Sequence, residues 1–293
     1  MATNNLLYQF KTASIIIKVI AINVIIFLLI HLGAFFFTVY PGILTKWFVL
    51  PENIGGLLSQ PWSLFTYSFL HFDFFHLLFN MLWLHWFGKY ILNLFSEKRF
   101  LTIYLLGGLF GGLLFVLSYN VLPVFKNDSG FLLGASGAVM AVIVFIATYT
   151  PNTALRFFTL TIKLWQIALF LFLFDLVRLP TSGNEGGLLA HVGGAIFGYV
   201  YAIQLAKGND IGKWFENMLD WFANQLKPRS KRPFKKVHKT PHAKKANAKT
   251  KVSNSKMEHQ KKIDAILDKI GKSGYDSLTK AEKDFLFKAG KED

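Results

Sequence analysis

Apolar positions in this chain run in long blocks rather than in alternation. Six stretches, roughly 15–40, 70–93, 100–123, 131–150, 160–179 and 187–206, are continuously apolar. Each can supply the ~20 residues a helix needs to cross about 30 Å of hydrocarbon. Polar or helix-breaking clusters separate them: Pro41-Gly42, Pro51-Glu52, Ser96-Glu97-Lys98-Arg99, Lys126-Asn127-Asp128, Pro151-Asn152 and Pro180-Thr181-Ser182-Gly183. Six such runs leave no polar outer face for a soluble helical protein. The first run is too long for a cleaved signal peptide, and no small-residue cleavage pattern follows it, so it reads as an uncleaved span. The pattern predicts an all-α membrane protein with six transmembrane helices. The loop over 41–69 holds Trp47, Phe48, Trp62, Phe65 and Tyr67, residues at home in a membrane interface.

Charge divides the chain further. Only 17% of residues are charged and the mean hydropathy is +0.37. With no cysteine there is no disulfide framework, thiolate nucleophile or zinc–cysteine site. Residues 1–206 carry a net charge of +4 and residues 207–293 a net charge of +11. Short-loop Lys and Arg set orientation. With the N-terminus inside, Lys11, Lys18, Lys98, Arg99, Arg156, Lys163 and the basic tail fall on the cytoplasmic side. Only Lys46, Lys126 and Arg178 fall outside. The expected organisation is a cytoplasmic N-terminus over 1–14, a six-span domain over 15–206, a basic linker over 207–256 and a small helical module over 257–293. The expected location is a cell (inner or plasma) membrane, with both termini cytoplasmic.

Strongly polar groups within spans are costly and mark function by default. Spans 2, 4 and 6 run from outside to inside, so their first residues share one outer depth. His71, His76 and Asn80 stand there in span 2, Ser136 in span 4 and His191 in span 6. His76 and Asn80 are four apart and share a helix face. Ser136 sits between Gly134 and Gly137, where the backbone can turn tightly and helix-terminal N–H groups are free, the features of an oxyanion site. Gly194 and Gly198 follow His191 as a close-packing stripe. Packing span 6 on span 4 through it brings His191 to Ser136, whose hydroxyl needs a base to become a nucleophile. No carboxylate is expected beside His191, so the reading is a Ser–His dyad. Asp175 and Arg178 of span 5 are expected to pair, or Arg178 to reach outward; His31 and Asn23 read as interhelical hydrogen bonds. A three-histidine metal site from His71, His76 and His191 is the alternative convergence, and it leaves Ser136 unexplained.

On these residues the chain resembles the rhomboids, a family of intramembrane serine proteases. His71-Phe72-Asp73-Phe74-Phe75-His76-Leu77-Leu78-Phe79-Asn80 is similar to the family's span-2 pattern. Gly134-Ala135-Ser136-Gly137 resembles its nucleophile motif, and Ala190-His191 with Gly194 and Gly198 its span-6 motif. The resemblance covers about residues 15–206. It implies a rhomboid-like bundle that cleaves transmembrane segments of other membrane proteins near the outer face, with no cofactor and no metal. Ser136 is implied as nucleophile and His191 as general base, then acid. His76, Asn80 and the Ser136 N–H are implied as the oxyanion hole, with Gly134 shaping the loop. His71, Gly137, Gly194, Gly198 and Trp62 match structural positions of the motifs. Glu97-Lys98-Arg99 resembles an architectural turn after span 2. Two departures stand out: Ser63 replaces the arginine of a Trp-Arg pair that begins at Trp62, and Met140 stands where many members carry an aromatic ring.

Residues 227–262 carry 14 Lys or Arg against Glu258 alone. Beside a membrane such a segment contacts anionic headgroups at about 1 kcal/mol per positive residue; no nucleic-acid motif accompanies it. Beyond it, Ser255-Lys256-Met257-Glu258 and Thr279-Lys280-Ala281-Glu282 read as capping boxes. Ile263, Ile266, Leu267 and Ile270 form one apolar stripe and Leu278, Phe285 and Leu286 another. The segment Ile263–Lys288 resembles a small C-terminal module of Bacteroidota-type bacterial rhomboids and is expected to fold as a helical hairpin.

Overall fold

Each apolar block becomes helix, though not over its full length. The computed structural model describes residues 6–126, 128–157, 160–226 and 249–289. It comprises two units, one within 1–228 and one within 229–293. In the first, α1 (Leu6–Thr12) precedes α2 (Ile15–Phe36), the first apolar block. The aromatic loop then folds as α3 (Pro41–Thr45), β1 (Leu50–Pro51), α4 (Ile54–Ser59), α5 (Ser63–Thr66) and a 3-10 turn, Tyr67–Phe69. The next blocks give α6 (Phe74–Leu94) and α7 (Glu97–Val121). Asp73 caps α6 by accepting the His76 N–H at 2.8 Å, and Ser96 caps α7 by accepting the Arg99 N–H at 3.2 Å, each satisfying a donor the helix leaves open.

The fourth and fifth blocks depart from the expected lengths. Residues Phe131–Leu132 form β2, paired antiparallel with β1 through Leu50 and Leu132. The helix behind them, α8, covers only Ser136–Tyr149. Likewise β3 (Ala154–Phe157) pairs with β4 (Leu160–Lys163) before α9 (Leu164–Arg178) begins. The polar groups of this extended backbone pair strand to strand, as backbone must wherever water is scarce. The last block is α10 (Glu185–Ala206). Among the described residues, α2, α7 and α10 have the length and composition to cross a membrane unaided; α6 has 21 residues, α8 14 and α9 15.

Helices α7, α8 and α10 meet almost backbone to backbone. A Cβ on Gly194 would fall on the carbonyl oxygen of Gly137, and one on Gly198 on that of Ala141. One on Gly111 would come within 2.7 Å of the Ala190 carbonyl. Small residues at these crossings replace side-chain volume with close packing. Around this seam the core is filled by Leu84, Phe87, Phe100, Tyr104, Phe145 and Tyr201, all buried.

The linker expected from residue 207 is instead helical over α11 (Lys213–Leu226). Phe215 is buried in the core with Met218 and Leu219 beside it, an i, i+3, i+4 spacing that marks an amphipathic helix. Its polar face carries ion pairs to the start of α7: Lys98 to Asp220 at 2.5 Å and Arg99 to Glu216 at 3.2 Å, with Arg99 also on Asp210. Glu97 in turn accepts the Ile15 N–H at 3.0 Å. The Glu97-Lys98-Arg99 turn therefore ties α2, α7 and α11 at one end. The basic stretch 227–248 lies outside the described residues.

In the second unit α12 spans Lys249–Ser273, a 3-10 turn follows at Tyr275–Ser277, and α13 spans Lys280–Ala289. The helix starts at Lys249 rather than 257, and Ser255 lies inside it, so Ser255–Glu258 is not an N-terminal box. The second box is formed: Thr279 Oγ1 accepts the Glu282 N–H at 3.4 Å and Glu282 accepts the Thr279 N–H at 2.8 Å. Gly274, at φ +78°, ends α12 in the left-handed region that glycine tolerates. Ile266 and Leu278 are buried, whereas Leu267 points to solvent.

Candidate functional site

The loop before α8 is held from several sides. The Gly134 N–H donates to the Tyr67 carbonyl at 2.9 Å, and the Tyr67 hydroxyl donates to the Gly108 carbonyl at 2.7 Å. The next amide, Ala135, donates to His71 Nε2 at 3.3 Å. His71 is fully buried, and the same nitrogen lies 3.3 Å from Asn80 Nδ2. Accepting at Nε2 puts its proton on Nδ1. His71 thus joins the loop to α6 and takes a structural position.

Gly134 adopts φ +121°, where a side chain is strained. A Cβ there would stand 2.7 Å from His76 Cε1 and 3.8 Å from Ser136 Oγ. The imidazole and the hydroxyl therefore border one small gap, kept open by the missing side chain. Ser136 is the first residue of α8, where backbone amides have no intrahelical acceptor and the helix dipole is positive. Ser136 and His76 are both partly exposed. Asn80 is buried deeper; its Nδ2 donates to the His76 carbonyl at 3.0 Å and lies 3.3 Å from His71 Nε2.

Gly137, next to Ser136, packs on Ala190, next to His191; a Cβ on Gly137 would lie 3.0 Å from the Ala190 carbonyl. The seam of Gly137, Gly194 and Gly198 thereby sets α10 beside α8. Among the described residues no hydrogen bond joins Ser136 Oγ to His191. Such contacts tighten in many enzymes only when substrate is bound. His191 makes another bond instead: its Nδ1 lies 2.8 Å from Asp175 Oδ2. Asp175 is buried, while Arg178 turns outward over the Phe174 ring at 5.4 Å. The Asp175–Arg178 pair is not formed, and the expectation that no carboxylate reaches His191 is overturned. The signal was available: span 5 runs from inside to outside, so Asp175 near its end shares the depth of His191.

The remaining expected residues are structural neighbours. Trp62 donates its indole N–H to the Trp47 carbonyl at 2.7 Å, bracing the loop over 41–69; Ser63 is buried behind it and Met140 is buried in α8. His31 bridges α2 to the start of α6, its Nε2 3.0 Å from the Phe72 carbonyl oxygen. Asn23 bonds within its own helix, to the Val19 carbonyl at 2.9 Å. Tyr67 had no sequence signal beyond its aromatic ring.

Residues 58–208 match the family model of the Rhomboid domain, just over half of the chain. Residues 249–289 match a family of unknown function, DUF6576. Among curated proteins, the chain is 33% identical over 140 residues to Presenilin-associated rhomboid-like protein A, mitochondrial, of Danio rerio, covering 46% of this chain and 35% of that protein. It is 28% identical over 157 residues to RHOMBOID-like protein 12, mitochondrial, of Arabidopsis thaliana, covering 50% and 47%. It is 32% identical over 150 residues to the human Presenilin-associated rhomboid-like protein, mitochondrial, covering 50% and 38%. The chain spans less than half the length of these relatives.

Proposed function

Because this chain belongs to the rhomboid family, we propose that it is an intramembrane serine endopeptidase that cleaves transmembrane segments of other membrane proteins. Ser136 is the nucleophile and His191 the base. As the Ser136 oxygen adds to the scissile carbonyl, its proton passes to His191 Nε2. The developing oxyanion is held by the free N–H of Ser136 and by His76, with Asn80 swinging in from its bond to the His76 carbonyl. His191 then gives the proton to the leaving amine, and water releases the acyl group.

The observation that supports this reading best is the gap beside Gly134. A glycine at φ +121° leaves a hydroxyl and an imidazole facing the same space at the amide-rich start of a helix, an arrangement suited to stabilising negative charge. An intact substrate helix hides its amides, so cleavage favours spans with Gly, Ala, Ser or Pro near the cut. In this reading the site faces the outer side of a cell membrane and both termini are cytoplasmic. The six-span domain covers 15–206, the basic stretch lies against anionic headgroups, and the helices over 249–289 form a separate module.

The test is the purified protein in liposomes with a reporter span and a fluorophosphonate probe. Wild type cleaves the reporter and takes the label; Ser136→Ala does neither. A Ser136→Ala protein that cuts at the wild-type rate ends this reading.

A further inference from the structure

We propose that Asp175 is a positioning residue for His191, so that the reaction runs through a Ser136–His191–Asp175 relay. The inference rests on the proposed protease reading and adds to it a group on a third span.

A carboxylate in a membrane-spanning helix is costly unless it is paired. Asp175 is 8% exposed, and the partner it has is His191 Nδ1, at 2.8 Å. The nearest cation along its own helix, Arg178, is turned away over Phe174. The pair joins α9 to α10 across the turn that links them, 16 residues apart. An ionised carboxylate accepts, so Nδ1 carries the proton and Nε2 keeps its lone pair. That tautomer is the one a base facing Ser136 needs. With Nδ1 held, the ring can rotate little, and Nε2 remains the nitrogen turned away from α9.

In the reaction the O–C bond forms as the Ser136 proton moves to Nε2. The ring becomes an imidazolium with both nitrogens protonated. Asp175 stays ionised and stabilises that cation, then sees it neutralised when the proton passes to the leaving amine. His76 of α6 is the other titratable ring that interacts electrostatically with His191. It is a second imidazole rather than a counter-charge, which leaves Asp175 as the anion at this base.

The test compares wild type, Asp175→Asn, Arg178→Ala and Ser136→Ala in liposomes. Asp175→Asn is isosteric but presents an amide that can favour the wrong tautomer. In soluble triads that change costs about 10⁴ in kcat. The expected result is a kcat lowered by about 10²–10⁴ with KM within a few-fold of wild type, while Arg178→Ala keeps wild-type kcat. A second measurement needs no folded variant at Asp175: the ¹⁵N-histidine spectrum of wild type, assigned by the signal lost in His191→Gln, should show His191 protonated at Nδ1. Asp175→Asn within twofold of wild-type kcat, an equal loss in Arg178→Ala, or His191 protonated at Nε2 each overturns the proposal. Those outcomes leave the protease reading standing so long as Ser136→Ala is inactive. If wild type and Ser136→Ala are both inactive toward reporter and probe, the protease reading fails first.

Discussion

Gly194 of α10 lies directly against Gly137 of α8, so closely that a single methyl group on Gly194 would fall on the Gly137 carbonyl oxygen. The residue before Gly137 is Ser136, and three residues before Gly194 is His191. Helix packing and the candidate chemistry thus share one contact. Gly194→Ala must push α10 off α8, and overpacking of this kind costs about 1–3 kcal/mol. The expected outcome is a lower thermal midpoint in detergent together with slower fluorophosphonate labelling of Ser136. Unchanged values for both would mean that the seam yields without strain.

His71 is expected to matter without touching substrate. His71→Ala leaves the buried Ala135 N–H with no acceptor, at a cost of about 1–3 kcal/mol. Labelling of Ser136 should fall more than in Phe215→Ala, a buried core variant on α11 of similar or greater destabilisation. Equal losses in the two proteins would show that His71 contributes only to global stability.

His76 borders the Gly134 gap, and its role in the proposed reaction is to donate to an anion. His76→Ala should lower kcat by about 10²–10³, the usual effect of one lost oxyanion donor, with a thermal midpoint close to wild type. Steady-state cleavage of the reporter span checks it; a wild-type kcat would remove His76 from the oxyanion site.

In the second unit, Glu282 accepts from the Thr279 backbone N–H, from Lys269 at 3.0 Å and from the Thr279 hydroxyl. These bonds, the backbone one foremost, pull its carboxyl down from 4.5 to about 2. A depressed acid stabilises the fold in its ionised form. That contribution is complete above about pH 4.5 and is lost as pH falls toward 2. Hydrogen exchange of α13 amides in the full-length chain should quicken over this window in wild type and change less in Glu282→Gln. Identical pH dependence in both proteins would contradict it.

Much of this was legible in the sequence, because membrane helices announce themselves by length and composition. The six blocks, the Asp73 and Ser96 boundaries and the glycine stripe after His191 all follow from local rules. The short helices α8 and α9 did not. Residues 131–135 are as apolar as a helix, and only pairing with Leu50, 82 residues earlier, makes Leu132 a strand. Asp175 was visible as a polar residue in a span. Pairing it with Arg178 follows sequence proximity, whereas the depth argument applied to His76, Ser136 and His191 would have put it beside His191. Helix α11 was masked by its charges, since Lys213, Glu216 and Asp220 make the stretch read as linker until the spacing of Phe215, Met218 and Leu219 is followed.

The brevity of α8 has a consequence for where a substrate would be cut. Fourteen residues make a rod of about 21 Å, roughly 9 Å less than the thickness of the hydrocarbon. If Tyr149 and the Thr150-Pro151-Asn152 turn stand at one boundary and α8 runs along the membrane normal, Ser136 falls short of the other boundary by that difference. The protein would then behave as a depth gauge: a victim chain, unravelling from its end at about 3.3 Å per residue, presents its third residue or so to the hydroxyl. Sliding the apolar segment of a reporter by one position should shift the scissile bond by one position in step.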